Sequence, residues 1–230
     1  FNLLEMGISP ESSHHEEGPG QNEIDFRYST PLNAADNAVT FKSVVQTIAR
    51  RNGLFADFSP KPLMHESGNG LHINVSVKAE SGEDVTDSFM AGVLEHTVEM
   101  TAFLNPVAAS YKRLGEKKAP KYVTWSPENR SQLIRIPAVK NESNRRIELR
   151  SPDPAANPYI AYALIIYAGL DGIKRKLKPA APCNCNLFTA DGSITDTLAN
   201  LPDTVEKARN IAKNSEFIKR VLPEGYAESI

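Results

Sequence analysis

Carboxylates and imidazoles are concentrated in residues 11–23, ESSHHEEGPGQNE, around a Gly-Pro-Gly turn. Glu16 precedes this turn and Glu23 follows it. A hairpin that turns at the glycines would carry both carboxylates, on strands whose side chains alternate between two faces. Carboxylates with an imidazole suit Mg²⁺ or Mn²⁺ better than a structural zinc site, which prefers Cys and His. The composition of this stretch therefore makes a divalent-cation site one alternative.

Further polar residues alternate along later stretches of the chain. In GLHINVSV, His72, Asn74 and Ser76 face away from the apolar positions. Arginines lie on two more predicted strands, and guanidinium forks bind phosphates and carboxylates. Unpaired buried charges are costly, so such a face must be solvated, paired internally or matched to ions and ligands. The arginines are Arg130 and Arg135 in RSQLIRIP, and Arg146 and Arg150, around Glu148, in RRIELRS.

Each feature alone also has an ordinary structural explanation. Two glutamates six residues apart are typical of surface charge, and an Arg-x-Glu-x-Arg strand is typical of a cross-strand ion ladder. A single histidine is more often a core or surface residue than a ligand, and GNG is more often a turn. Spacing by itself therefore predicts a divalent-cation and phosphate site only as one alternative.

The elements that must position these residues alternate irregularly, which predicts an α+β fold with an antiparallel sheet. The length of 230 residues is enough for one sizeable core or two modest ones, and we expect one domain, residues 1–230, in which residues 178–230 form a helical C-terminal extension. A long loop is predicted over residues 110–129, which lack periodicity. The predicted helices cover 31–51, 87–104, 158–177, 203–213 and 215–221, and the predicted strands cover 54–59, 70–77, 130–137 and 145–151, besides the hairpin.

Composition and sequence pattern limit the classes of binding partner and the expected location of the protein. The net charge of −2 shows no basic bias towards nucleic acid. The longest apolar run, residues 159–170, is too short to span a bilayer. The first residues, FNLLEMGISP, show no signal peptide and resemble the end of a helix whose upstream part is missing. The two cysteines form no disulfide framework, and we expect a cytoplasmic protein.

The ordered motifs of the chain resemble the C-terminal catalytic domain of the glutamine synthetase family. Single motifs of this kind could arise by chance, but six in sequence are specific. They are SHHEEGPGQNEIDFRY, SGNGLHINVSV, NPVAASYKRL, NRSQLIRIP, RRIELRSPDPAANPYIAYALIIYAGLDGI and LPDTVEKARNIAKNSEFIKRVLP. The resemblance implies a curved antiparallel β-sheet with flanking helices, as in the glutamine synthetase and guanido kinase catalytic domains.

The resemblance also implies ATP-dependent ligation of ammonia to the γ-carboxylate of L-glutamate through γ-glutamyl phosphate. Two divalent cations, Mg²⁺ or Mn²⁺, would be held by Glu16, Glu23, His72 and Glu148. Glutamate would contact Gly68, His72, Arg113, Arg130 and Arg150, with Arg130 also on the transferring phosphoryl group. ATP would contact Glu11, Tyr28, Asn74, Ser76, Arg135 and Arg146.

The chain departs from the family pattern in two respects that matter for activity. The N-terminal β-grasp domain, with further metal-binding glutamates and an acidic residue for ammonium, is absent. We therefore expect this chain alone to be inactive, and the full-length protein to form a homo-oligomer, a dodecamer in many members.

A minor departure is Asn74, which stands where many members have a histidine.

The second departure lies in the flap, the loop after YKRL, where family members place a catalytic glutamate before AP. Here the loop reads RLGEKKAP, so Lys118 occupies that position and Glu116 could substitute only after a two-residue shift. A cation at an ammonium site repels the substrate. Lys118 therefore keeps two alternatives open, a γ-glutamyl ligase for a polyamine or ethanolamine and an impaired nucleotide-binding regulatory homologue. The similarity in fold between the two families adds a guanidino kinase as a third.

Overall fold

The computed structural model describes residues 2–139, 141 and 144–230. Its long helices follow the predicted order, and its strands are shorter than their alternating sequences. The helices are α1 (Asn2–Glu5), α2 (Pro31–Arg51), α3 (Thr86–Leu104), α4 (Ala108–Tyr111), α5 (Pro158–Lys174), α6 (Gly192–Thr195), α7 (Val205–Asn214) and α8 (Glu216–Val221). The strands are β1 (Pro10–His15), β2 (Asn22–Phe26), β3 (Ile73–Val75), β4 (Trp125–Ser126), β5 (Ile134–Arg135) and β6 (Ile147–Leu149).

The strands form an antiparallel hairpin, β1–β2, and a four-stranded sheet in the order β3-β6-β5-β4. Strands β3, β6 and β5 pair antiparallel, as predicted. Strand β4, which lies within the predicted loop of residues 110–129, pairs with β5 in parallel. The α+β class is therefore confirmed, while the sheet is mixed at one edge.

Strand register separates an apolar row from a polar row. Ile73, Leu149 and Ile134 are cross-strand partners and belong to the buried core. One residue along, Asn74 and Arg135 both pair with Glu148. Because adjacent side chains point to opposite faces, the polar row lies on the face opposite the core.

Helices α3 and α5 cover the apolar face and touch through glycines. A Cβ atom built on Gly172 would lie 2.1 Å from the carbonyl oxygen of Ser88 and 2.7 Å from the backbone nitrogen of Gly92. A Cβ atom on Gly169 would overlap the ring of Phe89 at 2.1 Å. The two helix backbones therefore approach so closely that no side chain fits between them.

Gly172→Ala is expected to destabilise the fold by about 3 kcal/mol, because its methyl group meets backbone that cannot rotate away. Gly192→Ala, in α6, is the matched control, since its Cβ would meet only the Asp196 carboxylate at 3.5 Å. Equilibrium urea unfolding of both variants measures the difference. Equal stability of the two variants would contradict close contact between α3 and α5.

An ion-pair network joins the C-terminal helices to α3 and α5. His96 of α3 lies 2.6 Å from Glu99 and 3.0 Å from Asp171 of α5, and its ring stacks on Phe217 of α8 at 3.9 Å. Ser215, the N-cap of α8, donates a hydrogen bond to Glu99 at 2.6 Å. Helix α8 is thus attached to the core, and the assignment of residues 178–230 to the same domain stays a prediction.

The stability provided by Asp171 is expected to depend on pH. Hydrogen bonding with His96, and then with Arg175, lowers the pKa of Asp171 below its usual value. A carboxylate whose pKa is lower in the folded state stabilises the fold above its unfolded pKa, about 4, and loses this contribution as pH falls through the folded pKa. Asp171→Asn should therefore lower the melting temperature at pH 7, and the gap should close below about pH 4. A gap that stays constant from pH 7 to pH 2 would contradict this.

Residues 54–59, LFADFS, are not a strand, so this prediction was wrong. The side chain of Asn69 donates to the carbonyls of Asp57 and Ser59, at 3.2 and 2.8 Å. Phe58 packs edge-on against Phe41 of α2. Backbone acceptors that a strand would use are thus satisfied by a side chain.

Among the described helices, none combines the length and apolarity needed to cross a membrane.

Candidate active site

The hairpin brings three potential metal ligands together. The strand register places His14 opposite Glu23. The Glu16 backbone N–H donates a hydrogen bond to the Gln21 carbonyl at 2.9 Å, which closes the turn. The ring nitrogen Nε2 of His14 lies 3.0 Å from Glu16 Oε1 and 3.7 Å from Glu23 Oε2. One ligand atom from each of these residues lies within 4.8 Å of the others. Two carboxylates and an imidazole at this spacing fit a hard divalent cation such as Mg²⁺ or Mn²⁺.

Crowding changes the pKa values of the two hairpin glutamates in opposite directions. Burial, and then the charges of Asp25 and Glu16, raise the pKa of Glu23 to about 7. Burial alone would raise the pKa of Glu16, but hydrogen bonds with Lys118 and His14 outweigh it and leave that pKa below the usual value. The hairpin therefore concentrates negative charge that needs a counter-ion.

Gln21 attaches the hairpin turn to the segment before β3. Its side-chain amide donates to the Gly68 carbonyl at 3.1 Å and to Asn69 Oδ1 at 3.0 Å. Ser67 also donates to the carboxylate of Glu17, at 3.1 Å. These contacts hold the hairpin turn against the segment that leads into β3.

Glu148 is the centre of the second group. Its side chain is 8% exposed and accepts hydrogen bonds from Arg135 at 2.6 Å and from Arg150 at 3.1 Å. Burial raises its pKa, but Arg135 and Arg150 overcome this effect and lower the pKa below the usual value. Glu148 is therefore ionised at neutral pH and paired with two guanidinium groups.

His72 lies 3.5 Å from Glu148 through its ring nitrogen Nδ1. Burial, and then the charge of Arg150, lower the pKa of His72 to about 3. A neutral imidazole next to a carboxylate is a suitable cation ligand. Within the described ranges, His72 and Glu148 make a two-ligand set that fits a divalent cation only with additional ligands.

Arg113 supports the strand ends from inside the protein. Arg113 is 2% exposed, and its guanidinium donates to the Ser151 carbonyl at 2.7 Å and to the Arg150 carbonyl at 3.2 Å. A Cβ atom at Gly68 would lie 2.9 Å from Arg113, and one at Gly70 would lie 2.8 Å from it. Burial lowers the pKa of Arg113 to about 10, so it remains charged. The predicted glutamate-binding residues Gly68, Arg113 and Arg150 thus adjoin one another.

The flap places Lys118, rather than Glu116, against the hairpin. Lys118 Nζ lies 3.1 Å from Glu16 Oε2 and 3.3 Å from Glu17 Oε1. Glu116 instead lines a cavity of about 420 Å³, together with Lys112. The two-residue shift that would bring Glu116 to the site is not observed, and its catalytic role stays a prediction. The remaining residues that line this cavity are Lys61, Met64 and His65.

The residues predicted to contact the nucleotide lie on two parts of the structure, the hairpin and the four-stranded sheet. Glu11 is on β1 and Tyr28, 83% exposed, follows β2, so both belong to the hairpin side. Asn74 accepts a hydrogen bond from Arg146 at 3.2 Å, on the sheet side. Arg135 pairs with Glu148 on the same side, and Ser76 is exposed just beyond β3.

Arg130 is exposed and lies in the turn before β5, not in a strand as predicted. Its backbone carbonyl accepts a hydrogen bond from Arg150 Nε at 3.0 Å. The guanidinium therefore extends into solvent from a backbone that the site itself holds in place.

His14 is the candidate ligand that sequence reasoning left unassigned. The signal was present, because strand alternation places residue 14 on the same face as residue 16. The turn length then sets His14 opposite Glu23. The contacts of Lys118, in contrast, join residues 102 positions apart in the chain and have no local signal.

The fold and the site define an α+β domain that holds carboxylates, imidazoles and guanidinium groups around one polar sheet face. A family model described as the glutamine synthetase catalytic domain matches residues 1–230. The chain belongs to this family, which confirms the resemblance of the ordered motifs.

Relatives from several organisms agree with this assignment. The glutamine synthetase of Methanosarcina mazei is 44% identical over 239 residues, covering 97% of this chain and 53% of that protein. The enzyme of Staphylococcus aureus (strain MW2) is 45% identical over 235 residues, covering 96% of this chain and 52% of that protein. The chain therefore spans about half the length of the curated relatives that it matches.

A solved structure titled as a GmaS/ADP complex superimposes with a TM-score of 0.87 at 31% identity, covering 99% of this chain and 55% of that one. The ligand-free GmaS structure gives a TM-score of 0.86 at 31% identity, covering 98% of this chain and 54% of that one. The α+β fold is thus that of known members of the family.

Proposed function

We propose that the full-length protein is an ATP-dependent ligase that joins ammonia to the γ-carboxylate of L-glutamate. The observation that carries this proposal is the group around Glu148, in which an ionised carboxylate, a neutral imidazole and two guanidinium groups share one sheet face. Family membership and similarity to a GmaS structure with ADP support a nucleotide substrate. The relatives named glutamine synthetase support glutamate and ammonia.

The proposed reaction has two steps, phosphoryl transfer to glutamate and then amide formation. The γ-carboxylate oxygen of glutamate takes the terminal phosphoryl group of ATP, which gives γ-glutamyl phosphate and ADP. The amine nitrogen then bonds to the acyl carbon, phosphate leaves with the bonding electron pair, and the nitrogen loses a proton. The product is glutamine when the amine is ammonia.

The residues of this chain have separate roles in the proposal. Arg130 stabilises charge on the transferring phosphoryl group, and Arg135 and Arg146 orient the nucleotide phosphates. Glu16, Glu23, His14, His72 and Glu148 would hold Mg²⁺ or Mn²⁺. When bound, these cations neutralise repulsion between ATP and the incoming carboxylate. Arg150, supported by Arg113, receives the substrate carboxylate.

A second candidate function is γ-glutamyl ligation of a larger amine, such as a polyamine or ethanolamine. Its supporting observation is the Lys118 ammonium on the hairpin side of the flap, where a cation disfavours ammonium. A larger amine could place its nitrogen away from Lys118 and use its remaining atoms for binding. A nucleotide-binding regulatory homologue is the third candidate, also because of Lys118.

Phosphate release from ATP by the full-length protein, with Mg²⁺ and glutamate, distinguishes these candidates. A preference for ammonium over a panel of primary amines is the expected result. Activity with a larger amine only would support the second function. ATP binding without phosphate release in the presence of any amine would support the regulatory homologue and contradict the ligase. A dodecameric assembly and a cytoplasmic location stay predictions of family membership.

A further inference from the structure

The flap lysine uses the same carboxylate that the hairpin would offer to a metal ion. Lys118 Nζ lies 3.1 Å from Glu16 Oε2, while His14 lies 3.0 Å from the other oxygen, Glu16 Oε1. The ammonium also lies 3.3 Å from Glu17 Oε1. One positively charged side chain thus bridges two carboxylates at the open end of the candidate metal site.

The flap backbone adopts an uncommon conformation to make this contact. Lys118 has a φ of 62°, in the left-handed region that is unfavourable for residues with a side chain. Such a conformation costs on the order of 1 kcal/mol and persists only when surrounding contacts compensate. On either side, Lys117 donates to the His65 carbonyl at 2.7 Å and the Lys118 carbonyl accepts from Arg150 at 3.5 Å.

We propose that Lys118 is a tethered counter-ion of the hairpin, which a divalent cation displaces, so that metal binding and release of the flap are coupled. The inference rests on the proposed function because it takes the hairpin as a metal site. The charge balance supports the coupling: a divalent cation interacts with Glu16 twice as strongly as an ammonium at equal distance, and it repels Lys118. The displaced side chain is already 43% exposed, so its full hydration costs little.

Removing the charge of Lys118 should therefore tighten metal binding. For Lys118→Met, the dissociation constant of Mn²⁺ should fall about fivefold to tenfold, since exposed ion pairs and nearby like charges have effects of this order. Lys118→Arg keeps the charge and should bind Mn²⁺ with an affinity within about twofold of the unchanged protein. Lys117→Met is the matched control, because Lys117 pairs with Glu66 at 3.6 Å and not with the hairpin.

The experiment is a calorimetric Mn²⁺ titration of the full-length protein and these variants, without ATP, glutamate or amine. Hydrogen exchange of residues 114–120 is measured in parallel. In the unchanged protein Mn²⁺ should speed exchange in this segment, and in Lys118→Met exchange should be fast already without metal. Glu23→Gln should weaken the titrated binding and thereby assign it to the hairpin.

The inference would be overturned by an affinity for Mn²⁺ that is unchanged or weaker in Lys118→Met, or by an equal increase in affinity in Lys117→Met. Mn²⁺ binding that Glu23→Gln does not weaken would also contradict it. So would hydrogen exchange of the flap that does not change when Mn²⁺ is added. These readouts contain no catalytic step. A protein without ligase activity can still show the predicted metal coupling, and an active ligase can lack it, so the two proposals fail separately.

Discussion

Replacing Glu148 with alanine is expected to abolish ligase activity and to lower the free energy of unfolding by about 3 kcal/mol. The side chain is almost fully buried and pairs with Arg135 and Arg150. Removal of one partner leaves buried charges uncompensated, and such changes typically cost about 3 to 5 kcal/mol. Activity depends on the same carboxylate because it orients two guanidinium groups and His72.

Urea unfolding and phosphate release measure the two effects of Glu148→Ala separately. Glu128→Ala is the control, since Glu128 is an exposed loop glutamate and its loss should change stability by less than about 0.5 kcal/mol. A double variant with Arg135→Ala should cost less than the sum of the single changes, because the first change already breaks the pair. Additive costs would contradict a direct coupling between Glu148 and Arg135.

Arg130→Ala is expected to reduce kcat about 100-fold to 1,000-fold while leaving stability within about 0.5 kcal/mol. The residue is exposed, so truncation of its side chain creates no cavity and, among the residues that the structure describes, breaks no buried ion pair. The backbone carbonyl of residue 130 remains and still accepts from Arg150. The fold is thus preserved while the charge proposed to stabilise the transferring phosphoryl group is removed.

Steady-state kinetics with ATP and glutamate, together with urea unfolding, test Arg130→Ala. The effect should appear in kcat rather than in the KM for ATP, because the interaction is proposed for the transition state. Arg209→Ala, an exposed arginine on α7, is the control and should leave kcat unchanged. A change confined to KM would assign Arg130 to substrate binding instead.

Local signals determined the positions of α2 and α5. The predicted helix 31–51 agrees with α2, Pro31–Arg51, since a proline near its start and Gly53 just beyond its end are signals within the sequence. The start of α5 at Pro158 follows in the same way, with the Asn157 side chain capping Tyr159. Strand alternation also separated Glu148 correctly from Ile147 and Leu149.

Strand lengths depended on pairing between distant segments. Alternation over residues 70–77 predicts eight residues, whereas β3 has three, Ile73–Val75, opposite the three of β6. Residues 54–59 are also predicted as a strand, but the carbonyls of Asp57 and Ser59 accept from the Asn69 side chain. Backbone hydrogen bonds need a partner strand, and a single stretch of sequence does not show whether one is available.

The sequence by itself determined the family, the α+β class and the candidate ligands Glu16, Glu23, His72 and Glu148. The class follows from periods of 2.0 and 3.6 residues, and the family and the candidate ligands follow from the resemblance of the ordered motifs; both signals are properties of short stretches of chain. Only the tertiary structure decided that Arg113 is buried beneath the site and that Lys118 neutralises Glu16. Both contacts join segments far apart in the chain, and their energies depend on burial and distance, which arise only when the chain is folded.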